Sequence, residues 1–424
     1  MIYLVLYILF ILFFLKDYHK AVIIYAPLRM FLHSGICLKF ESPNITLDFA
    51  CCIIFLILFL LKNKQSFPKT LLRGYIALFV SFFVAIFAST YSFIQVAPRM
   101  IGQAITLFYS FIFLCELKGI GDVKLFHKAF YVCVLVMVTY GLFEYVTQKN
   151  PVIDFEKTFI PEDDNGKIYF SGERYGSVRC QSMMAISISY GAICVIWLCV
   201  AMSFRKIYKE IIPSSFLFPF WGLILIATFS TGSKSPFIFL VTYLVSFFFM
   251  VSGYIRIKVS LLLGVILFLF VFQSFISDFI LQITDSSQTT TAGSDIPMRI
   301  MQVSAAANLL DQYGWLFGLG ARGVMKANTL AAEELLGAES IWLQLLLEYG
   351  IVGCFTYVYM LYSVNKYKKE VIGKRGYTIP LVLIISWVIL NTVTSLPGID
   401  LTLFLCIIYA AIMEKRYEIK EFAL

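Results

Sequence analysis

Apolar residues run along this chain in long unbroken blocks, and charged residues gather in short clusters between them. The blocks cover about 1–15, 46–61, 71–93, 101–117, 129–147, 181–203, 213–230, 235–252, 259–276, 339–363, 377–395 and 400–413. No period of two runs through them, so an outer-membrane barrel, with strands alternating over about ten residues, is not indicated. Continuous runs predict helices that cross a bilayer, because a helix satisfies its own backbone groups where there is no water. The expected fold is all-α: a polytopic helical protein of about 12 spans, one integral membrane domain over 1–424. The stretch 17–45 is interrupted by Pro27, Arg29, His33 and Gly35. It reads as a re-entrant or interfacial segment, with a thirteenth span as the alternative. Residues 1–15 lack a basic leader and a small-residue cleavage site, so they read as a retained span.

Composition sharpens this picture. Hydrophobic residues make up 60 % of the chain and charged residues 14 %. A soluble domain has about a quarter charged residues, so this chain cannot cover a water-facing surface of its own. The ten cysteines lie mostly inside apolar runs, without metal-ligand spacing. Cys180 is the exception, at the end of a predicted outer loop, and no disulfide is inferred for it.

Charge sets the expected sidedness. The net charge of +8 is no nucleic-acid signal, because Lys and Arg lie mostly in short loops between the runs. The loops 62–70, 118–128, 204–212, 253–258 and 364–376, with Arg73 and the C-terminal tail, hold twenty of them. The opposite loops hold ten over many more residues. Basic residues favour the cytoplasmic side, so two large loops, about 147–180 and about 277–338, are expected outside. Loops that long usually have a purpose. The second carries a polar stretch at 285–291 and helix-forming stretches at 298–310 and 329–336.

Few residues offer chemistry. There is no phosphate-cradling glycine loop, no zinc motif and no Ser-His-Asp set; His19, His33 and His127 are far apart. Arginine is more informative. The first outer loop ends Ser171-Gly172-Glu173-Arg174-Tyr175-Gly176-Ser177-Val178-Arg179, and the second carries Asp295-Ile296-Pro297-Met298-Arg299 and later Arg322. Arg99 sits on a third predicted outer turn. Outside arginines oppose the charge bias, and a guanidinium fork suits phosphate oxygens, so Arg174, Arg179 and Arg299 are candidates to hold a lipid diphosphate. Pairing with Asp163, Asp164, Glu173 or Asp295 is the structural alternative. Phe229-Ser230-Thr231-Gly232-Ser233-Lys234 joins two runs, either as a plain polar turn or with Lys234 reaching a phosphate. Glu339 opens a run at the outer interface, as a general base for a sugar hydroxyl or as a first-turn acid favoured by the helix dipole. Residues 343, 346, 347 and 350 are expected on one helical face, with Glu348 more than two turns in, where a carboxylate usually faces a cavity or a partner. Glu144 and Asp400 are further acids near run ends.

These pieces, in order, resemble the O-antigen polymerase and ligase superfamily over most of the chain. Four places carry the resemblance. Ile45-Thr46-Leu47-Asp48 opens a span with an aspartate. Arg174-Tyr175-Gly176-Ser177 through Arg179 looks like the family's first-loop arginine motif. Phe229 through Lys234 is similar to its threonine-glycine-serine-arginine hairpin, with lysine in place of arginine. Arg299, then Leu316-Phe317-Gly318-Leu319-Gly320, then Glu339 through Gly353 resembles its closing segment. Ligases begin that segment with histidine-asparagine, where this chain has Glu339-Ser340, which favours a polymerase of the Wzy type.

The resemblance implies a glycosyltransferase of the bacterial inner membrane that works at the periplasmic face. Its substrate would be oligosaccharide repeat units on undecaprenyl diphosphate, polymerised with the lipid diphosphate as leaving group. Arg174, Arg179 and Arg299 would stabilise that leaving group, assisted by Lys234, Arg99 and Arg322, and Glu339 would serve the acceptor hydroxyl. No cofactor and no metal is required. Membrane lipids surround the chain, and a chain-length regulator is a candidate partner. The alternatives are a ligase that transfers glycan to lipid A core, and a flippase or transporter. A transporter would more often show two similar halves, and no internal repeat is found.

Overall fold

The computed structural model of the chain describes residues 16–31, 37–38, 45–62, 68–157, 173–174, 177–184, 186–251, 259, 296–335, 338–373, 378–395 and 400–421. The predicted span 1–15, residues 260–276 of the span 259–276, the polar stretch 285–291, and the loop residues 158–172 and 277–295 lie outside them.

The described chain is all-helical apart from two short antiparallel ladders. Helix α1 (Tyr18–Leu28) ends in a 3-10 turn, and a ladder of β1 (Cys37–Leu38) on β2 (Ile45–Thr46) leads into α2 (Leu47–Lys62). Then come α3 (Lys69–Ala88), α4 (Phe93–Glu116), α5 (Ile120–Thr147) and the short α6 (Pro151–Lys157). The second ladder, β3 (Glu173–Arg174) on β4 (Ser177–Val178), precedes α7 (Ser187–Ser203), α8 (Arg205–Ile211), α9 (Ser214–Ser230) and α10 (Ser235–Met250). The last part holds α11 (Ile296–Tyr313), α12 (Gly323–Leu330), α13 (Ala332–Leu335), α14 (Ile341–Ile372), α15 (Ile379–Val393) and α16 (Leu401–Glu421).

Among the described residues four helices, α3, α4, α5 and α14, are long and apolar enough to cross a membrane. The pair α7 and α8, bent by 100°, makes a fifth if it counts as one broken span. Helices α9, α10 and α15 are apolar but shorter. Large apolar side chains such as Phe87, Ile94, Phe249 and Phe355 point outward. Water would penalise that surface, whereas lipid tails accept it.

Several sequence expectations change. The run at 101–117 begins earlier, at Phe93, so Pro98 and Arg99 lie in the second turn of α4 and not on a loop. Pro98 stands inside the helix and has no N–H to give to the Ile94 carbonyl, so the helix forgoes one backbone bond there. The run at 129–147 begins at Ile120, because the Asp122 carboxylate accepts from the N–H groups of Lys118 at 2.9 Å and Gly119 at 3.0 Å and so starts the helix in the basic segment. In the stretch 17–45, α1 has 11 residues, too few to cross, and its Ala21, Val22, Ile23 and Tyr25 are buried against α4, α5 and α2. The expected continuous face through position 350 fails, because Gly350 has φ +64° and ψ −162° and breaks α14 into two pieces.

Aromatic packing fixes the helices laterally. Trp387 stacks on Phe404 at 4.3 Å, and its Nε1–H donates to Tyr357 Oη at 3.1 Å, which locks α15 between α14 and α16. Tyr75, Ser110 and Tyr409 join α3, α4 and α16 through hydroxyls. A small second core forms where α11, α12 and α13 pack on the start of α14, with Leu309, Leu310, Leu319, Leu335 and Leu347 at its centre.

Candidate functional site

Successive helices alternate in direction, so the ends of α3, α5, α9 and α15 and the starts of α4, α7, α10, α14 and α16 gather at one end of the bundle. The basic clusters at 62, 118–128 and 205–209 lie at the other. All the arginine candidates are on the first end.

The first cluster is built on the turn between α9 and α10. Gly232 sits at φ +58°, a conformation glycine takes without a Cβ clash, and its N–H donates to Phe229 O at 3.0 Å. Thr231 Oγ1 donates to Thr228 O at 2.7 Å and accepts from the Ser233 N–H at 3.2 Å. The closed turn presents an acceptor row to Arg179, whose Nε–H donates to Thr231 O at 3.1 Å and whose terminal nitrogen donates to Ser233 Oγ at 2.7 Å. The Cys180 N–H continues the row, to Ser230 O at 3.2 Å. Two motifs more than fifty residues apart therefore meet. Lys234 follows at the start of α10, half-buried. The β3–β4 ladder places Arg174 opposite Ser177, two positions before Arg179; its side chain lies outside the described residues.

Glu144 holds this segment from behind. One carboxylate oxygen accepts from the N–H groups of Gln181 (3.0 Å) and Ser182 (2.6 Å), and the other accepts from Asn150 Nδ2 at 2.8 Å. A buried carboxylate satisfied this way is an anchor for the Arg179 strand. Cys180 is buried beside it, and burial, aided by the Glu144 charge, pushes the thiol up to about 12.

The second cluster joins the two ends of the 299–339 segment. Arg299, in the first turns of α11, donates from one terminal nitrogen to Glu339 Oε2 and to Val393 O (2.7 Å), and from the other to Gln302 Oε1 at 3.2 Å. Its Nε–H has no partner among the described residues, and neither has the second oxygen of Glu339. The pair is partly open to solvent, with 22 % of the Arg299 side chain and 41 % of that of Glu339 exposed. Ser340, next in sequence, donates to Asn391 O at 3.2 Å. The predicted base and the predicted diphosphate ligand are thus direct partners.

The third arrangement explains the Gly318-Leu319-Gly320 sequence. The loop after α11 threads into the break of α14. Leu319 N–H donates to Leu347 O at 2.8 Å, and Ile351 N–H donates back to Trp315 O at 2.9 Å. A Cβ at Gly318 would stand 2.6 Å from Leu347 O, and one at Gly350 would stand 2.4 Å from Leu316 O. Only backbone fits between these segments. Ala321 N–H then donates to Ala85 O at 2.8 Å, which ties the loop to the end of α3. Glu348, buried at the break, lies 3.7 Å from the Arg99 guanidinium. Arg322 caps α12 at φ +63°, with its guanidinium 6.0 Å from the centre of the Tyr91 ring.

The sequence reading missed Arg29 as a partner. Its guanidinium is buried and grips Asp48 with two bonds, Nε to Oδ1 at 2.8 Å and a terminal nitrogen to Oδ2 at 2.9 Å, and reaches Asp400 Oδ2 at 2.8 Å. Tyr25 Oη donates to Asp48 Oδ1 at 2.7 Å. The signal was three isolated charges at the ends of apolar runs, since such charges pair with one another inside a bundle.

Among the described residues no three His, Cys, Asp or Glu side chains come together as a metal site. No family model matches the chain, and no curated protein matches it.

Proposed function

We propose that the chain is a twelve-span glycosyltransferase of the O-antigen polymerase type, working at the periplasmic face of the bacterial inner membrane on undecaprenyl-diphosphate-linked oligosaccharides. The observation that carries the reading is the convergence of its motif residues: Arg179 on the 231–234 turn, and Arg299 on Glu339, at the end of the bundle where basic residues are scarce. A lipid diphosphate at the membrane interface has the chemistry for forked contacts with guanidinium groups gathered there against the charge bias.

In the reaction, an acceptor hydroxyl oxygen attacks the anomeric carbon of the growing chain. The bond from that carbon to the diphosphate oxygen breaks, and the lipid diphosphate leaves with the electron pair. Arg179 and Arg299, with Arg174 and Lys234, stabilise the charge gathering on it. Glu339, bonded to Arg299 through Oε2 alone, takes the hydroxyl proton on its other oxygen. Arg99 and Arg322 act from the rim, through Glu348 and the α12 cap.

One observation favours a second reading. Helix α14 is interrupted at Gly350, and interrupted helices are frequent in transporters. A gel of surface polysaccharide from cells with and without the gene separates the readings. Collapse of a long ladder to core plus one repeat unit supports the polymerase. Lipid-linked long chains without transfer to core indicate a ligase. Single units held on the cytoplasmic leaflet indicate a flippase.

A further inference from the structure

Two carboxamides beside the Arg299–Glu339 pair are fully buried and incompletely bonded. Neither Oδ1 nor Nδ2 of Asn391 has a partner among the described residues, and neither has Nε2 of Gln302. Leaving such groups unpaired destabilises a fold, most of all at the end of a membrane helix, where a leucine would fit without penalty. Their position is not incidental. Gln302 Oε1 accepts from Arg299, and the backbone carbonyl of Asn391 accepts from Ser340 Oγ, one residue after Glu339. Asn391 also lies in the last turn of α15, which packs against α10, the helix that Lys234 opens. The two unpaired amides thus flank the Arg299–Glu339 pair, one on α11 and one on α15.

We propose that Asn391 and Gln302 form the subsite for a neutral, polyhydroxylated sugar, the acceptor end of the glycan. This rests on the polymerase reading. The charged groups suit a diphosphate, whereas a carboxamide sets a donor beside an acceptor and so matches neighbouring sugar hydroxyls, which are both. Because the two amides are closed off in this structure, the sugar enters as α11 lifts. The bonds that lifting breaks are those of Arg299 to Glu339 and Val393. Acceptor binding is thereby coupled to release of the guanidinium and carboxylate that the reaction uses.

The test uses Asn391→Leu, which removes no side-chain hydrogen bond seen among the described residues. The variant is expected to melt, as purified full-length protein, at the wild-type temperature or above it. In a deletion strain it is expected to restore about tenfold fewer long chains than wild type, or none, as follows from losing one or two hydrogen bonds to substrate. A second measurement uses the repeat-unit oligosaccharide released by mild acid from the lipid carrier of the deletion strain. It should raise the melting temperature of wild type but not of Asn391→Leu, while inorganic pyrophosphate shifts both alike. Wild-type ladders from Asn391→Leu, an equal oligosaccharide shift in both proteins, or a variant that fails to fold would each overturn the subsite. If deletion of the gene leaves the ladder unchanged, the polymerase reading itself falls, and the subsite with it.

Discussion

Arg299 bonds to Glu339 and, from the same nitrogen, to the carbonyl of Val393, so one guanidinium closes the start of α11 onto the start of α14 and the end of α15. The pair has a functional and a mechanical component, and substitutions separate them. Glu339→Gln keeps an acceptor for Arg299 but removes the proton-accepting oxygen. Membrane levels should stay at wild type while chain extension falls about a hundredfold or more, the usual share of a general base. Arg299→Lys keeps the charge and loses the fork, and should also cut extension sharply. Long chains of normal abundance from Glu339→Gln would return Glu339 to a purely structural role.

Arg29 and Asp48 make a second test, this time of stability. Arg29 is buried and Asp48 nearly so, while their third partner Asp400 is half-exposed, and removing one partner of a buried pair strands the other charge. Arg29→Met should destabilise the protein by about 3–5 kcal/mol. Adding Asp48→Asn to it should restore part of that loss. The check is a double-mutant cycle on melting or denaturant midpoints in detergent. Additive effects would mean that the two do not interact.

Gly350 is a conformational requirement. At φ +64° and ψ −162°, with the Leu316 carbonyl where a Cβ would go, Gly350→Ala meets both backbone strain and a clash. Strain of this kind costs about 1–3 kcal/mol, and the clash adds to it. The loop 315–323 should be released from α14, and the reading is limited proteolysis at that loop. Wild-type resistance to the protease would argue against the threaded arrangement.

How much of this was legible in the sequence depends on the kind of interaction. Long apolar runs such as 71–93 gave the helices, because burial in lipid needs only composition and length. Their starts were misjudged where polar residues belong to a helix, as with Arg99 and Asp122: a helix end accepts charges that a window of hydropathy reads as loop. The arginine and turn motifs were visible as separate strings, but their meeting was not, since Arg179 and Ser233 are joined by tertiary packing over 54 residues. The break at Gly350 was hidden for a different reason. The run around it is helical in pattern, and the interruption comes from a loop that begins more than thirty residues earlier. Arg29 was visible only as an irregularity, because its partners lie 19 and 371 residues away.

Cys180 offers a check on the first cluster. Burial, with Glu144 nearby, pushes its thiol up to about 12, and the thiolate is the species that reacts. In a variant with Cys180 as its single cysteine, maleimide labelling at pH 7 should be slow, and far slower than at a cysteine placed at exposed Lys149. Denaturation should equalise the two. Equal rates in the folded protein would mean that the Arg179 strand does not pack on the 231–234 turn.

His19 supplies a pH dependence at the opposite end of the bundle. It stands outside the membrane-crossing helices, with its two ring nitrogens each 2.8 Å from a carboxylate, Glu116 and Asp122. Burial alone would lower its pKa, but the two acids outweigh burial, and the net shift is upward from 6.5. A group with a raised folded pKa contributes its stability in full below the unfolded value and loses it as pH rises through the folded one. The window therefore opens at about pH 6.5 and extends upward. A third of the side chain is exposed, so solvent screening holds the effect to about 1 kcal/mol or less. Wild type should melt above His19→Gln at pH 6, and the gap should narrow by pH 8.5. A gap that widens with pH would mean that His19 is neutral in the folded protein and that the two acids are held by other cations, Lys118 first among them.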